Sequence, residues 1–163
     1  RPDVRKTLER VEWGVLVFFG SLFVMVGGLD GAGVLSALAG SIARLGDISP
    51  LLLGLMLLWL VAGLSAFVDN IPVTIALIPV IQGLAAAGMN VAPLWWALAF
   101  GAGLGGNGTI IGSTANIVVA SLSERTRTPI TAKLWNRRGL PVMLATCFVT
   151  SILFALAYPW LSR

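Results

Sequence analysis

The chain of 163 residues is 57% hydrophobic and 11% charged, with a mean hydropathy of +0.92, whereas soluble domains are roughly 45–50% apolar and about 25% charged. So few charges cannot cover a body of this length in water, which excludes a soluble globular domain. The net charge of +4 lies at the ends of apolar runs rather than along one polar face, which speaks against a nucleic-acid partner, and the absence of histidine together with a single cysteine, Cys147, removes zinc spacings and a disulfide framework.

Residues 1–12 form a polar lead-in of mixed charge. The chain opens on Arg1 with no signal-peptide series, so it reads as a piece of something longer. Trp13 to Leu29 then run without a charge, which is about 26 Å of helix and close to a hydrocarbon core of about 30 Å, so a first transmembrane helix is expected over 13–29. Residues 31–45 are rich in Gly and Ala and carry Arg44 near their end. They are expected to form a short connecting or interfacial helix, closed by the turn-like Gly46 to Pro50.

Leu51 to Val68 is again long and apolar, but Asp69-Asn70-Ile71-Pro72 interrupts it before a second apolar stretch from Val73 to Ala87. Pro72 removes a backbone donor and disfavours helix at Ile71, so 51–87 reads as a broken helical hairpin. The stretch 91–122 is likewise split, at Gly105-Gly106-Asn107-Gly108-Thr109, where three glycines around an amide argue for unwound backbone. A basic loop over 123–138 follows, and 140–161 is the closing span, with Tyr158 and Trp160 as interfacial aromatics.

The basic residues set the expected topology. Arg1, Arg5, Lys6 and Arg10 flank one end, and Arg125, Arg127, Lys133, Arg137 and Arg138 fill the later loop, so both are expected on the cytoplasmic side. An even number of crossings must separate them, and the Asp-Asn-Ile-Pro segment contributes either none, as a re-entrant hairpin, or two. The hairpin is favoured because irregular backbone at membrane depth is tolerated only within protein or beside water.

Asp69 is the acid that stands away from the charged clusters, and an intramembrane carboxylate is costly enough to read as an ion or proton site. If the two flanking helices instead met at an interface, it would be a solvated turn residue. Asn70 and Thr74 add an amide and a hydroxyl one helical turn apart, beside carbonyls freed by Pro72. Such oxygens suit a hard cation, and Asn70, Asn107 and Thr109 are the donors expected for Na⁺.

At the second break, Gly105, Gly106, Asn107, Gly108, Thr109, Gly112, Ser113, Thr114 and Asn116 lead into a half-helix. Its N-terminal N–H groups would favour an anion, and the unwound carbonyls before it a cation. Helix packing is the competing reading, since Gly101-x-x-x-Gly105 and Gly108-x-x-x-Gly112 are close-contact spacings, but packing does not account for the two asparagines. The Gly101–Gly106 run also satisfies the dinucleotide-binding pattern, but it follows an apolar helix rather than a strand. The sequon at Asn107-Gly108-Thr109 lies between apolar half-helices and should stay unmodified.

Val11-Glu12-Trp13 before a Phe-rich helix, Asp69-Asn70-Ile71-Pro72-Val73-Thr74, and Ala97 to Gly101 leading to Gly105-Gly106-Asn107-Gly108-Thr109 and Ile111 to Asn116 together resemble the C-terminal half of the arsenite/P-protein permeases. These belong to the ion transporter superfamily, with the citrate-transporter-like permeases. The resemblance implies an all-α integral membrane fold made of two inverted-topology repeats, of which this chain would be one, each with a re-entrant hairpin and a broken helix. It also implies that substrate and coupling ion sit near the midplane, with Asp69, Asn70 and Thr74 at the hairpin tip and Asn107, Thr109, Ser113, Thr114 and Asn116 at the broken helix. The Ser-Asn-Thr triplets of the related dicarboxylate carriers are not matched, because Asp69 precedes Asn70 and the threonine comes four residues later.

The expected function is therefore that of the C-terminal half of a secondary active ion transporter, not an enzyme, with H⁺ or Na⁺ as coupling ion and no other cofactor. Its expected partners are the bilayer, the N-terminal repeat and a small ion; a homodimer is compatible with this reading, and transport by this piece alone is not expected. The alternatives are an organic-anion permease with a carboxylate at Thr109 to Ser113, and a membrane scaffold whose glycines are packing seams.

Overall fold

The structure is a computed structural model and describes residues 13–34, 37, 40, 41 and 48–162. The lead-in over 1–12 lies outside the described residues, as does most of the connecting segment 31–45, with Arg44. Among the described residues the chain is all helical: α1 (Trp13–Gly31), α2 (Pro50–Ser65), α3 (Asn70–Ala86), α4 (Ala92–Gly105), α5 (Thr114–Ser123) and α6 (Ala132–Leu161).

The local sequence accounts for most of the helix ends. Pro50 sits in the first turn of α2, where its missing N–H costs nothing, and the Ser49 side chain caps the helix by accepting from the Leu52 N–H at 3.3 Å. At α6 the Thr131 hydroxyl accepts from the Leu134 N–H at 3.2 Å. That cap corrects the expected boundary: the basic loop ends at Thr131 rather than 138, so Lys133, Arg137 and Arg138 lie on the first turns of α6. Pro72 is likewise not in the unwound segment. The first break runs from Ala66 to Asp69, and Pro72 falls inside the first turn of α3, where its missing N–H has no intrahelical partner to lose.

Helix α4 is central, packing against α2 most extensively and also against α6 and α3; α1 touches only α3 among the described elements. Two apolar clusters result. Val61, Val73, Ile81, Leu84, Leu94, Leu98 and Ala102 join α2, α3 and α4, while Leu58, Ala62, Ala97, Met143, Cys147 and Phe154 join α2, α4 and α6. The α2–α4 approach needs glycine: a Cβ on Gly101 would stand 2.6 Å from the Leu58 carbonyl oxygen, and one on Gly105 would strike the Ala62 backbone. Packing is thus what Gly101 and Gly105 do. Long apolar side chains on several helices nevertheless face outward, among them Phe23, Leu60, Val118 and Leu156. By length and composition α6 can cross a membrane, and α2 to α5 are shorter apolar helices.

Candidate functional site

Each break leaves helix-end groups that need partners, and the two breaks supply each other. After α2 ends, the Ala66 carbonyl accepts a hydrogen bond from the Thr109 hydroxyl, while the Ser65 hydroxyl donates to the Ala102 carbonyl at 2.8 Å. In the other direction, Asp69 caps α3 by accepting from the Ile71 N–H at 3.1 Å through Oδ1. Its Oδ2 accepts from both the backbone N–H of Thr114, at 2.8 Å, and the Thr114 hydroxyl, at 2.6 Å. One carboxylate therefore caps two helices, α3 on its own chain segment and α5 across the junction.

The second break, Gly106 to Ser113, is held from inside by Asn116. Its Nδ2 donates to the carbonyls of Gly106, at 2.7 Å, and Thr109, at 3.0 Å. Asn116 and Thr109 are buried, at 7% and 8% exposure, so these bonds are not traded for water. Glycine lets the loop pack closely, against backbone at Gly112 and against a side chain at Gly108. A Cβ on Gly112 would lie 2.7 Å from the Gly106 carbonyl oxygen and 2.9 Å from that of Ser65, and one on Gly108 would lie 2.6 Å from Sδ of Met143. Gly106, with the Gly112 carbonyl close by, belongs to the same contact.

The expected site residues thus divide. Asp69, Thr109, Thr114 and Asn116 meet at one junction of the two breaks. Asn70 and Thr74 line a shallow cavity of about 160 Å³ with Ile71 and Ile75, and the Thr74 hydroxyl donates to the Asn70 carbonyl at 2.8 Å. Asn107 is exposed and lines a different cavity, beside Trp135, whose indole N–H donates to the Asn107 carbonyl at 3.2 Å. Ser113 precedes α5 in extended conformation and makes no side-chain cap bond. Sequence reasoning did not find Ser65 and Trp135, which brace the junction through backbone carbonyls far away in sequence. A polar residue at the end of an apolar helix was the only available signal.

The junction gathers backbone and side-chain oxygens at two interrupted helices, and among the described residues no group of three His, Cys, Asp or Glu gathers to hold a metal ion. An all-helical, strongly apolar chain built on two interrupted helices is the kind that moves a solute rather than one that makes or breaks bonds. The comparisons with known proteins give the particular group. The citrate transporter family (CitMHS) matches over residues 1–101, and the chain belongs to this family.

It is 36% identical to an uncharacterized transporter of Synechocystis over 169 aligned positions, which cover 93% of this chain and 38% of that protein. It is 37% identical to the human P protein over 155 positions, covering 90% of this chain and 18% of that protein. An uncharacterized transporter of Mycobacterium tuberculosis is 37% identical over 158 positions, covering 94% of this chain and 35% of that protein. The chain thus spans well under half the length of these relatives. No solved structure matches it. The family is one of membrane transporters, not enzymes, and the chain is an integral membrane protein segment.

Proposed function

We propose that this chain is the C-terminal half of a multi-pass, secondary active ion transporter. In this reading the segment over 51–87 is a re-entrant hairpin, 91–122 is a broken transmembrane helix, and a first repeat of inverted topology supplies the facing half of the site. Substrate and coupling ion bind near the midplane between Asp69, Asn70 and Thr74 at one break and Thr109, Ser113, Thr114 and Asn116 at the other, with Na⁺ or H⁺ as coupling ion. Asn107, in the separate cleft beside Trp135, stands on the approach to them, so Asn70, Asn107 and Thr109 do not form one Na⁺ site. The observation that carries it is the double capping by Asp69, which joins the two breaks through a group able to take up a proton or a cation. A proton or cation on Asp69 competes with Thr114 for the same oxygen, so loading the site loosens one break from the other. That supplies the two arrangements alternating access requires.

The leading substrate is an inorganic ion of the arsenite type. A second reading, an organic-anion permease, draws on one observation of its own: the N-terminus of α5 already accommodates a carboxylate, that of Asp69, and the family description names citrate. The experiment is uptake into vesicles carrying the full transporter, with arsenite and citrate offered separately and Na⁺ and pH varied, for wild type and Asp69→Asn. Substrate-dependent uptake that loses its pH or Na⁺ dependence in the variant is the expected result. Unchanged dependence makes Asp69 a structural cap only.

A further inference from the structure

A cleft of about 380 Å³ lies between the loop after α4 and the start of α6, lined by Asn107, Ile130, Leu134, Trp135, Arg138 and Val142. The loop and α6 approach each other closely here because residue 139 is glycine. A Cβ there would strike the Asn107 carbonyl oxygen and stand 3.0 Å from Nε1 of Trp135. The indole is in turn fixed by its hydrogen bond to that same carbonyl. The lining is apolar except for Asn107 and Arg138, and none of it is acidic.

The chain changes character at this point. Lys133, Arg137 and Arg138 precede Gly139, and from Gly139 to Leu161 there is no charged residue. At about 1.5 Å per residue that run covers roughly 35 Å, enough for a hydrocarbon core of about 30 Å, which puts Arg138 at the level of the lipid phosphates. Leu134, Arg138 and Val142 recur every fourth residue, so they share one helix face. Arg125, Arg127, Lys133 and Arg137 add positive charge nearby against Glu124 alone.

We propose that this cleft binds one anionic glycerophospholipid, its phosphate on Arg138 and the first carbons of an acyl chain on Leu134, Trp135 and Val142. A guanidinium offers a phosphate two parallel donors, and the apolar floor rewards an acyl chain that free phosphate lacks. A zwitterionic lipid brings its own cation and gains less from the basic flank. A lipid held here lies against Asn107, so its occupancy reaches the second break. The assignment rests on the chain's place in a membrane and not on any transport cycle.

The test is native mass spectrometry of the protein in detergent, incubated with phosphatidylglycerol, with phosphatidylcholine of the same acyl chains, or with inorganic phosphate. Wild type should retain one phosphatidylglycerol in preference to phosphatidylcholine, and inorganic phosphate should not displace it. Arg138→Gln should lower that retention about tenfold and erase the headgroup preference, with Arg138→Lys intermediate. Val142→Trp, which fills the cleft, should lower it as well, whereas Arg127→Gln on the flanking loop should lower it far less than Arg138→Gln. Helix content of each variant is read by circular dichroism on the same samples, and the Arg138 pair decides if Val142→Trp fails to fold. Equal retention of the two lipids by wild type, displacement by phosphate alone, an Arg127→Gln loss as large as that of Arg138→Gln, or an unchanged Arg138→Gln would each overturn the proposal.

Discussion

The two breaks solve the same problem by different means. At Ala66–Asp69 the chain turns on few residues, and an ionisable side chain does the joining, with Asp69 reaching Ile71 and Thr114. At Gly106–Ser113 the excursion is longer, and neutral groups hold it: the Asn116 amide on two carbonyls, the Thr109 hydroxyl on Ala66, and glycines that let backbone meet backbone. In the function proposed above the first break takes up the proton or cation, and the second is the frame held by neutral bonds. Polar residues in one apolar chain thus do two different jobs, and burial with a full set of partners distinguishes the frame from the groups left open.

The largest expected effect tests the frame. In Gly112→Val a Cβ would be set among three backbone carbonyls at 2.7 to 3.0 Å, none of which can yield as a side chain does. Folded protein should be lost outright, read as the disappearance of a monodisperse detergent-solubilised species, since overpacking at a yielding site already costs about 1–3 kcal/mol. A normal yield would show that the second break is pliable.

Next comes the contrast between the two asparagines of the broken helix. Asn116→Ala leaves the Gly106 and Thr109 carbonyls without their buried donor and should destabilise by about 1–3 kcal/mol, measured by thermal unfolding in detergent. Asn107→Ala removes an exposed amide and should change stability by less than about 0.5 kcal/mol while abolishing uptake by the full transporter. Reversal of the two phenotypes would invert the division between frame and open site.

A third measurement sharpens the ionisable break. A double-mutant cycle of Asp69→Asn and Thr114→Ala should show a coupling of about 1–2 kcal/mol at neutral pH, because both changes act on the Thr114 hydroxyl bond to the carboxylate, while the backbone N–H bond of residue 114 survives in Thr114→Ala. The sign with pH follows from the carboxylate as acceptor: protonation removes an acceptor from the Thr114 donors. The coupling should therefore fall as pH is lowered through the titration of Asp69 and return as it is raised. Additive effects at all pH values would show that the two breaks are held together by packing alone.

The smallest expected effect concerns topology. Arg127→Cys should fold as wild type, within about 0.5 kcal/mol, and Cys147, the native thiol, is buried. An impermeant thiol reagent should label the new cysteine only after cells are opened, as a cytoplasmic loop requires. Labelling from outside would turn the chain over in the membrane and leave the junction itself unchanged.

Much was legible in the sequence because composition and helix breakers act locally. Apolar runs interrupted near Asp69 and at Gly105–Thr109 read as apolar helices with breaks, since the missing backbone partners and the cost of intramembrane charge follow from residue type. The family resemblance was carried by those same residues. Local signals also erred in detail: the Thr131 cap extended α6 back through the basic residues, and Pro72 proved to be a first-turn residue. Only the tertiary structure could decide which polar groups are spent. That Thr109 serves Ala66, that Asn116 serves Gly106, and that Asp69 caps a helix begun by Thr114 are matches between segments far apart in the chain. A hydrogen bond depends on distance and direction in space, which residue order alone does not supply.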